Sequence, residues 1–329
     1  MRHILFLHGI EDSNCVEVHS VTPEGTKYAM QGNIDLYRDL GHPELRLHTA
    51  VLGGLVPQVP VVRRPHIVFN CISDADTNRK ALALAIDALL PLGLPVLNDP
   101  ARVLETRRDD VAKKLAGIPG MHIPVTQRIV PQSHREILDT LANGPVRYPA
   151  LLRRAGTHGG VSMLLLRSAA DAPLLERIAC DGSDYYLIEF VDFRSADGYY
   201  RKMRLVVIDG QVYARHLLVG NEWNVHASAR DSVMVDQPAF AVEEEQFLAA
   251  FNAGGNTPWR SAIAEIHRRL GLDYFSIDAS ELADGSLLMF EANASGNALR
   301  QKNPDRFPYL ARHVIRLREA VIGMLLRPR

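Results

Sequence analysis

The chain is poor in cysteine and nearly neutral, with three cysteines and a formal net charge of −1 in 329 residues. Cys15, Cys71 and Cys180 lie far apart and match neither a disulfide framework nor a metal-binding spacing, which predicts reduced thiols in a cytoplasmic protein. The balanced charge gives no electrostatic reason to expect nucleic acid or an anionic membrane as a partner. No apolar run reaches about 18 residues, and no secretory signal is recognisable, so we predict neither a membrane span nor export.

Two glycine motifs of nucleotide-binding proteins are also missing, since the chain contains neither G-x-x-x-x-G-K-[ST] nor G-x-G-x-x-G. Glycines nevertheless gather after an apolar run that ends in Arg153-Arg154, where Gly156, Gly159 and Gly160 follow. Glycine lets the backbone approach a ligand and turn its N–H groups toward phosphate oxygens. A plain hairpin connection would have a similar sequence, so this loop alone does not decide between the two interpretations.

The order of apolar runs and amphipathic stretches predicts a mixed α/β and α+β chain. Alternating strands and helices indicate a small parallel α/β domain over residues 1–100, in which Glu11–Met30 is predicted to be irregular. Residues 101–184 are predicted to form a smaller α+β unit that begins with a helix over Arg102–Ala116. Residues 185–329 are predicted to be rich in strands and to end in a hairpin and a helix.

The most informative stretch is GLDYFSIDASELADGSLLMFEANASG, in which two apolar-rich runs flank Asp284-Gly285, a dipeptide typical of a two-residue hairpin loop. Counting outward from that loop places Asp278 opposite Glu291, with Asn293 on the same face. Two carboxylates about 5 Å apart repel each other unless a cation lies between them, and with an amide oxygen they suit Mg²⁺. The alternative is a polar face in solvent. The other face is predicted to be core, with Phe275, Ile277, Ala279, Leu288, Phe290 and Ala292.

A second hairpin is predicted around Asp209-Gly210. The same counting places Arg204 opposite Arg215, and like charges in that position are destabilising unless an anion lies between them. Guanidinium groups bind phosphate or carboxylate oxygens in pairs. The alternative is an edge strand whose arginines point into water. Together the two hairpins offer a cation site and an anion site, which is what a Mg²⁺-nucleotide requires.

The order of these parts resembles the ATP-grasp superfamily of carboxylate–amine ligases, and within it the glutathione-synthetase-like enzymes. The resemblance covers nearly the whole chain. Its most specific element is the last hairpin, where the family has an Asp followed by Glu-x-Asn that hold Mg²⁺, usually two ions; Asp278, Glu291 and Asn293 match it. It implies an ATP-grasp fold with an N-terminal pre-ATP-grasp domain, a small lobe of residues 101–184 and a large lobe of residues 185–329.

The resemblance also implies the residues that bind the phosphates of ATP. Arg153 stands where the family has a lysine before its glycine loop, so Arg153, Gly159 and Gly160 are implied in ATP binding. A second lysine of the family is replaced by Arg107 or Arg108. Arginine keeps the charge but is larger and forked, so phosphate contact is retained while the geometry of ATP differs.

The adenine-binding segment of the family resembles LIEFVD, which ends at Asp192. The resemblance implies that the backbones of Phe190 and Val191 meet the adenine edge. It further implies that Glu189 or Asp192 holds the adenine or the ribose.

The reaction implied by the resemblance begins when a substrate carboxylate attacks the γ-phosphate of ATP and becomes an acyl phosphate. An amine, or another nucleophile, then displaces phosphate; with an amine the products are an amide, ADP and phosphate. Arg204 or Arg215 is implied to hold the transferred phosphoryl group or the acyl phosphate. Ser295 and Asn297 are implied to shape the acceptor pocket, and Arg300 to bind a substrate carboxylate.

Some features leave the function open. Ser276 stands where the dipeptide ligases have an arginine, which argues against a close D-alanine ligase relative. His158, Trp223, Asn224 and His226 lie near the expected cleft and receive no role. A kinase on the same scaffold and a non-catalytic nucleotide-binding protein are the alternatives. The carboxylate substrate is an amino acid, a peptide end or a natural-product intermediate, and a homodimer is left open.

Overall fold

A computed structural model describes residues 1–23, 25–54, 64–157, 159–160, 163–255, 258–301 and 304–329, so His158 lies outside the described residues. In chain order the strands are β1 (Arg2–Gly9), β2 (Glu17–Thr22), β3 (Gly25–Ala29), β4 (Leu45–Leu52), β5 (Ile67–Asn70), β6 (Val96–Leu97), β7 (Met121–His122), β8 (Thr126–Ile129), β9 (Ala150–Arg154), β10 (Leu164–Leu166), β11 (Tyr185–Glu189), β12 (Tyr200–Ile208), β13 (Gln211–Gly220), β14 (Tyr274–Glu281) and β15 (Leu287–Asn293). The α-helices are α1 (Arg79–Leu89), α2 (Pro100–Leu104), α3 (Arg108–Leu115), α4 (His134–Asn143), α5 (Ala229–Ser232), α6 (Pro238–Asn252), α7 (Trp259–Leu270) and α8 (Leu310–Leu326). Within the described ranges, every helix is too short or too polar to cross a membrane.

The N-terminal sheet is parallel throughout, with the strand order β4-β1-β5-β6, as the alternating pattern predicted. Both faces of β1 are covered, which is the usual situation of a parallel sheet. Leu5 and Leu7 pack in the same cluster as the buried face of α1, whereas Ile4 and Phe6 pack with α8. The C-terminal helix therefore completes the N-terminal domain.

Two local predictions for this region are wrong. Glu11–Met30 was expected to be irregular, but β2 and β3 pair as an antiparallel hairpin. The single helix predicted over Arg102–Ala116 is divided into α2 and α3. The Thr106 hydroxyl donates to the Val103 carbonyl at 2.7 Å, and Arg107 has extended backbone angles, so the first helix stops. As a result α3 begins at Arg108, with its side chain directed at β15.

The second sheet is antiparallel, with the strand order β10-β9-β11-β8. Helix α4 covers one face, where Ile137 and Leu141 pack with Leu152 and Leu187. Ser133 begins this helix, because its side chain accepts a hydrogen bond from the backbone N–H of residue 136. The third sheet has the order β13-β12-β14-β15-β7, and α6 and α7 cover its core face.

Buried polar contacts join the three sheets. Asp76, beside the first sheet, accepts hydrogen bonds from the Tyr186 hydroxyl at 2.8 and 2.9 Å and from Arg128 at 2.9 Å, both in the second sheet. Asn98 donates to the Tyr274 carbonyl at 2.7 Å and accepts from the Tyr274 N–H at 2.8 Å, which ties the first sheet to the third. These contacts fix the position of the cavity that the second and third sheets enclose.

The β12–β13 hairpin confirms the predicted loop but not the predicted register. Asp209 and Gly210 have φ values of 51° and 80°, as a two-residue loop with two left-handed positions requires. Between Arg204 and the next residue a β-bulge shifts the pairing, so that Arg204 faces His216 and Arg215 is the extra residue. The prediction that Arg204 lies opposite Arg215 is therefore wrong.

The β14–β15 hairpin confirms the predicted pairs at the carboxylates, although its loop is longer than predicted and β15 contains a bulge. Asp278 lies opposite Glu291, and Ser276 opposite Asn293. The loop has three residues rather than two, because the Leu282 N–H donates to the carbonyl of residue 286 and Gly285 takes a left-handed conformation. A β-bulge at Phe290 adds one residue to β15 and restores the register at the carboxylates.

The same shift corrects the predicted core face of this hairpin. Between the loop and the bulge, the side chains of β15 exchange faces. Leu287 and Met289 lie in the core, whereas Leu288 and Phe290 line a cavity beside Asp278. The prediction that Leu288 and Phe290 share the face of Phe275 and Ile277 is therefore wrong. Leu288 is buried, but in a different apolar cluster against which Phe290 packs, and both residues form apolar walls of the cavity.

A buried carboxylate holds the segment after β13 in place. Glu244 on α6 has no exposed surface, pairs with Arg230 and accepts a hydrogen bond from the Tyr309 hydroxyl at 2.6 Å. It also accepts the backbone N–H of Leu217 at 3.0 Å. Removing one member of such a network leaves a buried charge without its partner.

We expect Glu244→Ala to lower the free energy of unfolding by about 3–5 kcal/mol, because Arg230 would remain buried and unpaired. The measurement is urea denaturation. Arg135→Ala is the control, since Arg135 makes an exposed pair with Asp139 on α4 and its loss should change the free energy by at most about 1 kcal/mol. Equal, small effects of the two substitutions would contradict the role of Glu244.

Candidate functional site

The main cavity lies between the second and third sheets and has a volume of about 350 Å³. One end is largely apolar, with walls from both sheets and from the segment after β11; the lining there includes Leu151, Met163, Ile188, Phe190, Val191, Leu218, Leu288 and Phe290. The other end is charged; its lining includes Arg108, Arg153, Lys202, Arg204, Asp278 and Glu291. The cavity can therefore take an elongated ligand with an apolar ring at one end and anionic groups at the other.

The segment predicted to bind adenine lies at the apolar end. Glu189 lines the cavity, and its carboxylate accepts the Val125 N–H at 3.0 Å. Phe190 stands edge-on to Trp223, with ring centres 5.8 Å apart, and its N–H donates to the Pro149 carbonyl at 3.1 Å. That N–H is already committed to the protein backbone. Asp192 follows at an exposed position and accepts from the N–H of residue 194.

Asp278 and Glu291 are each held by an arginine at the charged end. Arg204 Nε and Nη2 donate to the two Asp278 oxygens at 2.6 and 2.8 Å, and Lys202 Nζ lies 3.3 Å from Asp278 Oδ2. Arg108 Nη2 donates to Glu291 Oε2 at 2.6 Å. The break between α2 and α3 is what brings Arg108 there, because it places this residue in the first turn of α3.

Both carboxylates are ionised. Burial alone would raise the pKa of Asp278, but Arg204 and Lys202 together hold this pKa well below its usual range. Burial and the charge of Asp278 would likewise raise the pKa of Glu291, but Arg108, Arg153 and Arg204 together more than offset them, so that the pKa is about 2. Ionised carboxylates are the form that binds a hard cation.

The three predicted metal ligands are all oxygen donors, the kind that Mg²⁺ prefers. Asp278 and Glu291 face each other across the ladder, and Asn293 follows on the same strand, its amide oxygen accepting the Ser295 N–H at 3.0 Å. Throughout the part of the chain that the structure describes, no three His, Cys, Asp or Glu side chains are grouped closely enough to hold a metal. An ion here would complete its shell with oxygens of water or phosphate.

Arg153 lines both the charged end of the main cavity and a smaller cavity beside it. It is 8% exposed, and its guanidinium donates to the Thr157 carbonyl within the glycine loop. Burial, followed by the nearby charge of Arg108, lowers its pKa to about 10, so Arg153 is still a cation at neutral pH. Four cations line this end of the cavity, namely Arg108, Arg153, Lys202 and Arg204. They outnumber the carboxylates of Asp278 and Glu291, which leaves an excess of positive charge for an anionic ligand.

A smaller side cavity opens where the N-terminal domain meets the charged end. Arg108, Arg153 and Glu291 line both cavities. Arg107 lines only the side cavity here and pairs with Asp110 at 2.8 Å. The predicted substrate residue Ser295 also lines the side cavity, which lies beside the carboxylates and holds about 70 Å³.

Three of the predicted site residues, Arg215, Arg300 and Asn297, line neither of these two cavities. Arg215 is buried and donates to the carbonyls of Ala298 and Arg300 at 2.6 and 2.7 Å, so it supports the turn after β15 rather than facing Arg204. The Arg300 side chain pairs with Asp35 at 2.5 Å, on the surface of the N-terminal domain. Asn297 Oδ1 is buried and, among the described residues, has no hydrogen-bond partner.

The structure also adds residues that the sequence interpretation missed. Lys202 lies two residues before Arg204 on the same strand and therefore on the same face, so strand alternation was a signal that could have identified it. His216 lines the cavity opposite Arg204 only because of the bulge in β13, which no motif announces. Trp223, Asn224 and His226, which the sequence placed near the expected cleft without a role, do line the cavity.

The glycine loop and the loop after β13 approach each other closely. Gly160 has a φ of 68°, and a Cβ there would lie 2.1 Å from His226 Nε2 and 2.7 Å from Asn224 Oδ1. Gly159 has the same φ, but a Cβ there would meet no atom within 4 Å. The two glycines thus have the same backbone requirement and differ in their surroundings.

We expect Gly160→Ala to weaken binding of Mg²⁺-ATP more than Gly159→Ala does. Both substitutions strain the backbone by about 1–2 kcal/mol, but only the first displaces His226 and Asn224 from the cavity wall. The measurement is the rise in melting temperature that Mg²⁺-ATP produces in each variant and in the wild type. An equal loss in the two variants would mean that backbone strain, not the contact with His226, is what matters.

A second expectation concerns acid stability. The folded pKa of Glu291 is about 2, below the value of about 4.3 in an unfolded chain. Its stabilising contribution is present above pH ~4.3 and is lost as the pH falls toward 2. Urea denaturation over that range should show a shallower loss of unfolding free energy for Glu291→Gln, by up to about 1.4 kcal/mol per pH unit. Parallel curves for wild type and variant would contradict the assignment.

Comparisons with known proteins support the fold at the level of structure alone. No family model matches the chain, and no curated protein matches it. The RimK domain ATP-grasp protein of Sphaerobacter thermophilus matches with a TM-score of 0.54 at 14% identity, over 99% of this chain and 100% of that one. The VanG D-Ala:D-Ser ligase of Enterococcus faecalis matches with a TM-score of 0.54 at 12% identity, over 99% of each chain.

A third structure is the ATP-grasp ligase PsnB complexed with the precursor peptide PsnA2 and AMPPNP. It matches with a TM-score of 0.50 at 15% identity, over 98% of this chain and 97% of that one. Identities this low carry no substrate or residue role from one protein to another. The coverage of nearly every residue does confirm the architecture expected from the sequence: the chain has the ATP-grasp fold.

Proposed function

We propose that this protein is an ATP- and Mg²⁺-dependent ligase that joins a carboxylate to an amine through an acyl phosphate and releases ADP and phosphate. The observation that carries the proposal is the pair of ionised carboxylates, Asp278 and Glu291, beside an excess of cations at one end of a cavity whose other end is largely apolar. The ATP-grasp fold supports it, since the structural neighbours VanG and PsnB are ligases and PsnB holds AMPPNP.

The nucleotide lies along the main cavity in this proposal. Adenine packs at the apolar end between Leu151 and Leu288, beside Phe190 and Val191. Glu189 is close enough to the same end to serve the adenine or the ribose. Adenine rings suit such walls because the hydrophobic effect favours burial of their faces, while a few polar groups fix their orientation.

The phosphates lie at the charged end, between the second and third sheets. Arg108 and Arg153 replace the lysines of related enzymes, and their forked guanidinium groups can each hold two phosphate oxygens. Gly159 and Gly160 bring the backbone of the glycine loop to the same place. Mg²⁺, held by Asp278, Glu291 and Asn293, supplies neutralisation of the phosphate charge when it is bound.

The carboxylate substrate occupies the side cavity in this proposal, because that cavity adjoins the charged end and Ser295 lines it. Arg204 lies within hydrogen-bond distance of Asp278 and can release one of its two donors to the transferred phosphoryl group. Preorganised cations of this kind stabilise charge that develops during phosphoryl transfer. No side chain is required as a nucleophile.

We retain the proposed division of the chain into an N-terminal domain of residues 1–100, a small lobe of residues 101–184 and a large lobe of residues 185–329. The three sheets support it. One strand crosses the division, since β7 from the small-lobe segment pairs with β15 in the sheet of the large lobe.

The experiment that tests the function is ATP consumption with Mg²⁺ while the protein is offered pools of amino acids and dipeptides. We expect ADP and phosphate to appear only when a carboxylate and an amine are present together. Glu291→Gln should abolish this turnover, because it removes one negative charge and little volume from the metal site. AMP as the product would exclude the acyl-phosphate route, and a stable phosphorylated product would indicate a kinase. Full turnover by Glu291→Gln would contradict the assignment of the metal site.

A further inference from the structure

The β2–β3 hairpin carries an exposed apolar face. Val18 lies opposite Tyr28, Val21 lies opposite Thr26, and cross-strand neighbours share a face of the sheet. Because side chains alternate along β3, Tyr28 and Thr26 point to the same side. Val18, Val21 and Tyr28 therefore form one surface, the hairpin face, on which they are 59%, 73% and 57% exposed.

A β-bulge is what brings the two valines to the same side. The pairing shifts between Val18 and Ser20, so that β2 has one residue more than β3 at that point. Without the extra residue, Val18 and Val21 would point to opposite sides, because they are three positions apart on the strand. The bulge therefore collects the large apolar side chains of the hairpin on a single face.

No apolar cluster of the described residues includes a member of β2 or β3. A two-stranded hairpin alone is only marginally stable in water and usually gains stability from a third strand or from packing. Among the described strands, β2 and β3 pair only with each other, so both edges of the hairpin are free. The backbone N–H and C=O groups along a free edge can pair with another chain.

The base of the hairpin is fixed to the wall of the side cavity. On one side, the Asp12 N–H donates to the Thr77 carbonyl at 2.8 Å. On the other side, the Gly32 carbonyl accepts the N–H groups of Ser73 and Asp74 at 2.8 and 3.2 Å. Ser73 and Asp74 line the side cavity, which is the carboxylate site of the proposed function. A ligand on the hairpin face is therefore bound at the rim of that site.

Gly32 makes the attachment close. It has a φ of 69°, and a Cβ there would lie 1.8 Å from Asn78 Oδ1. Asn78 is fully buried, and its side-chain amide donates to the Gly9 carbonyl at 3.3 Å. The hairpin thus has a fixed position relative to the side cavity, although its outer face is uncovered.

The size of the hairpin face favours a small partner over a second copy of the chain. Each partner of a stable dimer buries about 800 Å². A fully buried aromatic side chain supplies only about 150–250 Å², so one tyrosine and two valines fall well short of that area. An extended peptide needs less, since it gains main-chain hydrogen bonds along a free strand edge and places alternate side chains on one face.

We propose, on the basis of the proposed function, that the carboxylate substrate is a peptide whose chain binds the hairpin face while its carboxylate lies in the side cavity. The peptide pairs with a free edge of the hairpin, and apolar side chains at every second position continue the hairpin face. β2 has six residues and is about 20 Å long. A substrate of about ten residues therefore covers the hairpin and extends past its base.

The test compares two pools of ten-residue peptides. In the apolar pool, Val, Leu or Tyr occupies every second position and Ser, Thr, Lys or Glu the others; in the polar pool, Ser or Thr takes the apolar positions. Each pool is offered with Mg²⁺-ATP and hydroxylamine, which attacks the acyl carbon of an acyl phosphate, releases phosphate and leaves a hydroxamate. A second readout, independent of turnover, is hydrogen exchange of the backbone amides of β2 and β3 with each pool.

We expect the wild type to form hydroxamate at least about tenfold faster from the apolar pool, because burial of one valine or leucine side chain is worth about that factor. The apolar pool alone should slow hydrogen exchange in β2 and β3. Val21→Ser should reduce the preference severalfold, and Val21→Ile should keep it. The matched control is Val242→Ser, which alters a valine that is 51% exposed on α6 and should behave as the wild type.

Equal hydroxamate formation from the two pools, with unchanged hydrogen exchange in the hairpin, would overturn the inference and leave the ligase in place. Absence of hydroxamate with every peptide, together with slower exchange in the apolar pool, would contradict the ligase and support the hairpin as a peptide-binding surface. Absence of both signals would overturn both. A wild-type dimer in sedimentation velocity that Val21→Ser converts to a monomer would also overturn the inference, because a second copy would then occupy the hairpin face.

Discussion

The site depends on the electrostatic balance around Asp278 and Glu291. Two carboxylates, one buried and one half-buried, that face each other across a ladder would repel strongly, and their removal from water alone would favour the protonated forms. Arg204 donates two hydrogen bonds to Asp278, at 2.6 and 2.8 Å, and Arg108 donates one to Glu291, at 2.6 Å. These contacts favour the ionised forms. The carboxylates therefore stay ionised, which is the state that a hard cation requires.

The surplus of positive charge links this balance to the rest of the fold. Lys202 and Arg153 add to the two arginines, so the end of the cavity attracts a polyphosphate even while its carboxylates are charged. These cations come from α3, the second sheet and the third sheet, and they meet only because the sheets face each other. Contacts such as Asp76 with Tyr186 hold the sheets in that arrangement.

The errors in the predicted register of the two long hairpins come from β-bulges. A single bulge in β13 separates Arg215 from Arg204 and brings His216 to the cavity. Another at Phe290 compensates for a three-residue loop and keeps Asp278 opposite Glu291. Bulges depend on how strands pack and twist against their neighbours, so a count from the loop cannot detect them. The predicted carboxylate pair was correct because two one-residue shifts cancelled.

Sequence by itself determined the elements whose signals are local. The alternating pattern of residues 1–100 indicated a parallel sheet, and the two Asp-Gly dipeptides located both hairpins. Hydrophobic periodicity and turn chemistry act over a few residues and can be read directly. Tertiary structure alone decided which cations meet the carboxylates, why Arg215 supports a turn, and that His226 lies against Gly160. Those contacts join residues far apart in the chain, so their geometry depends on packing that no local pattern contains.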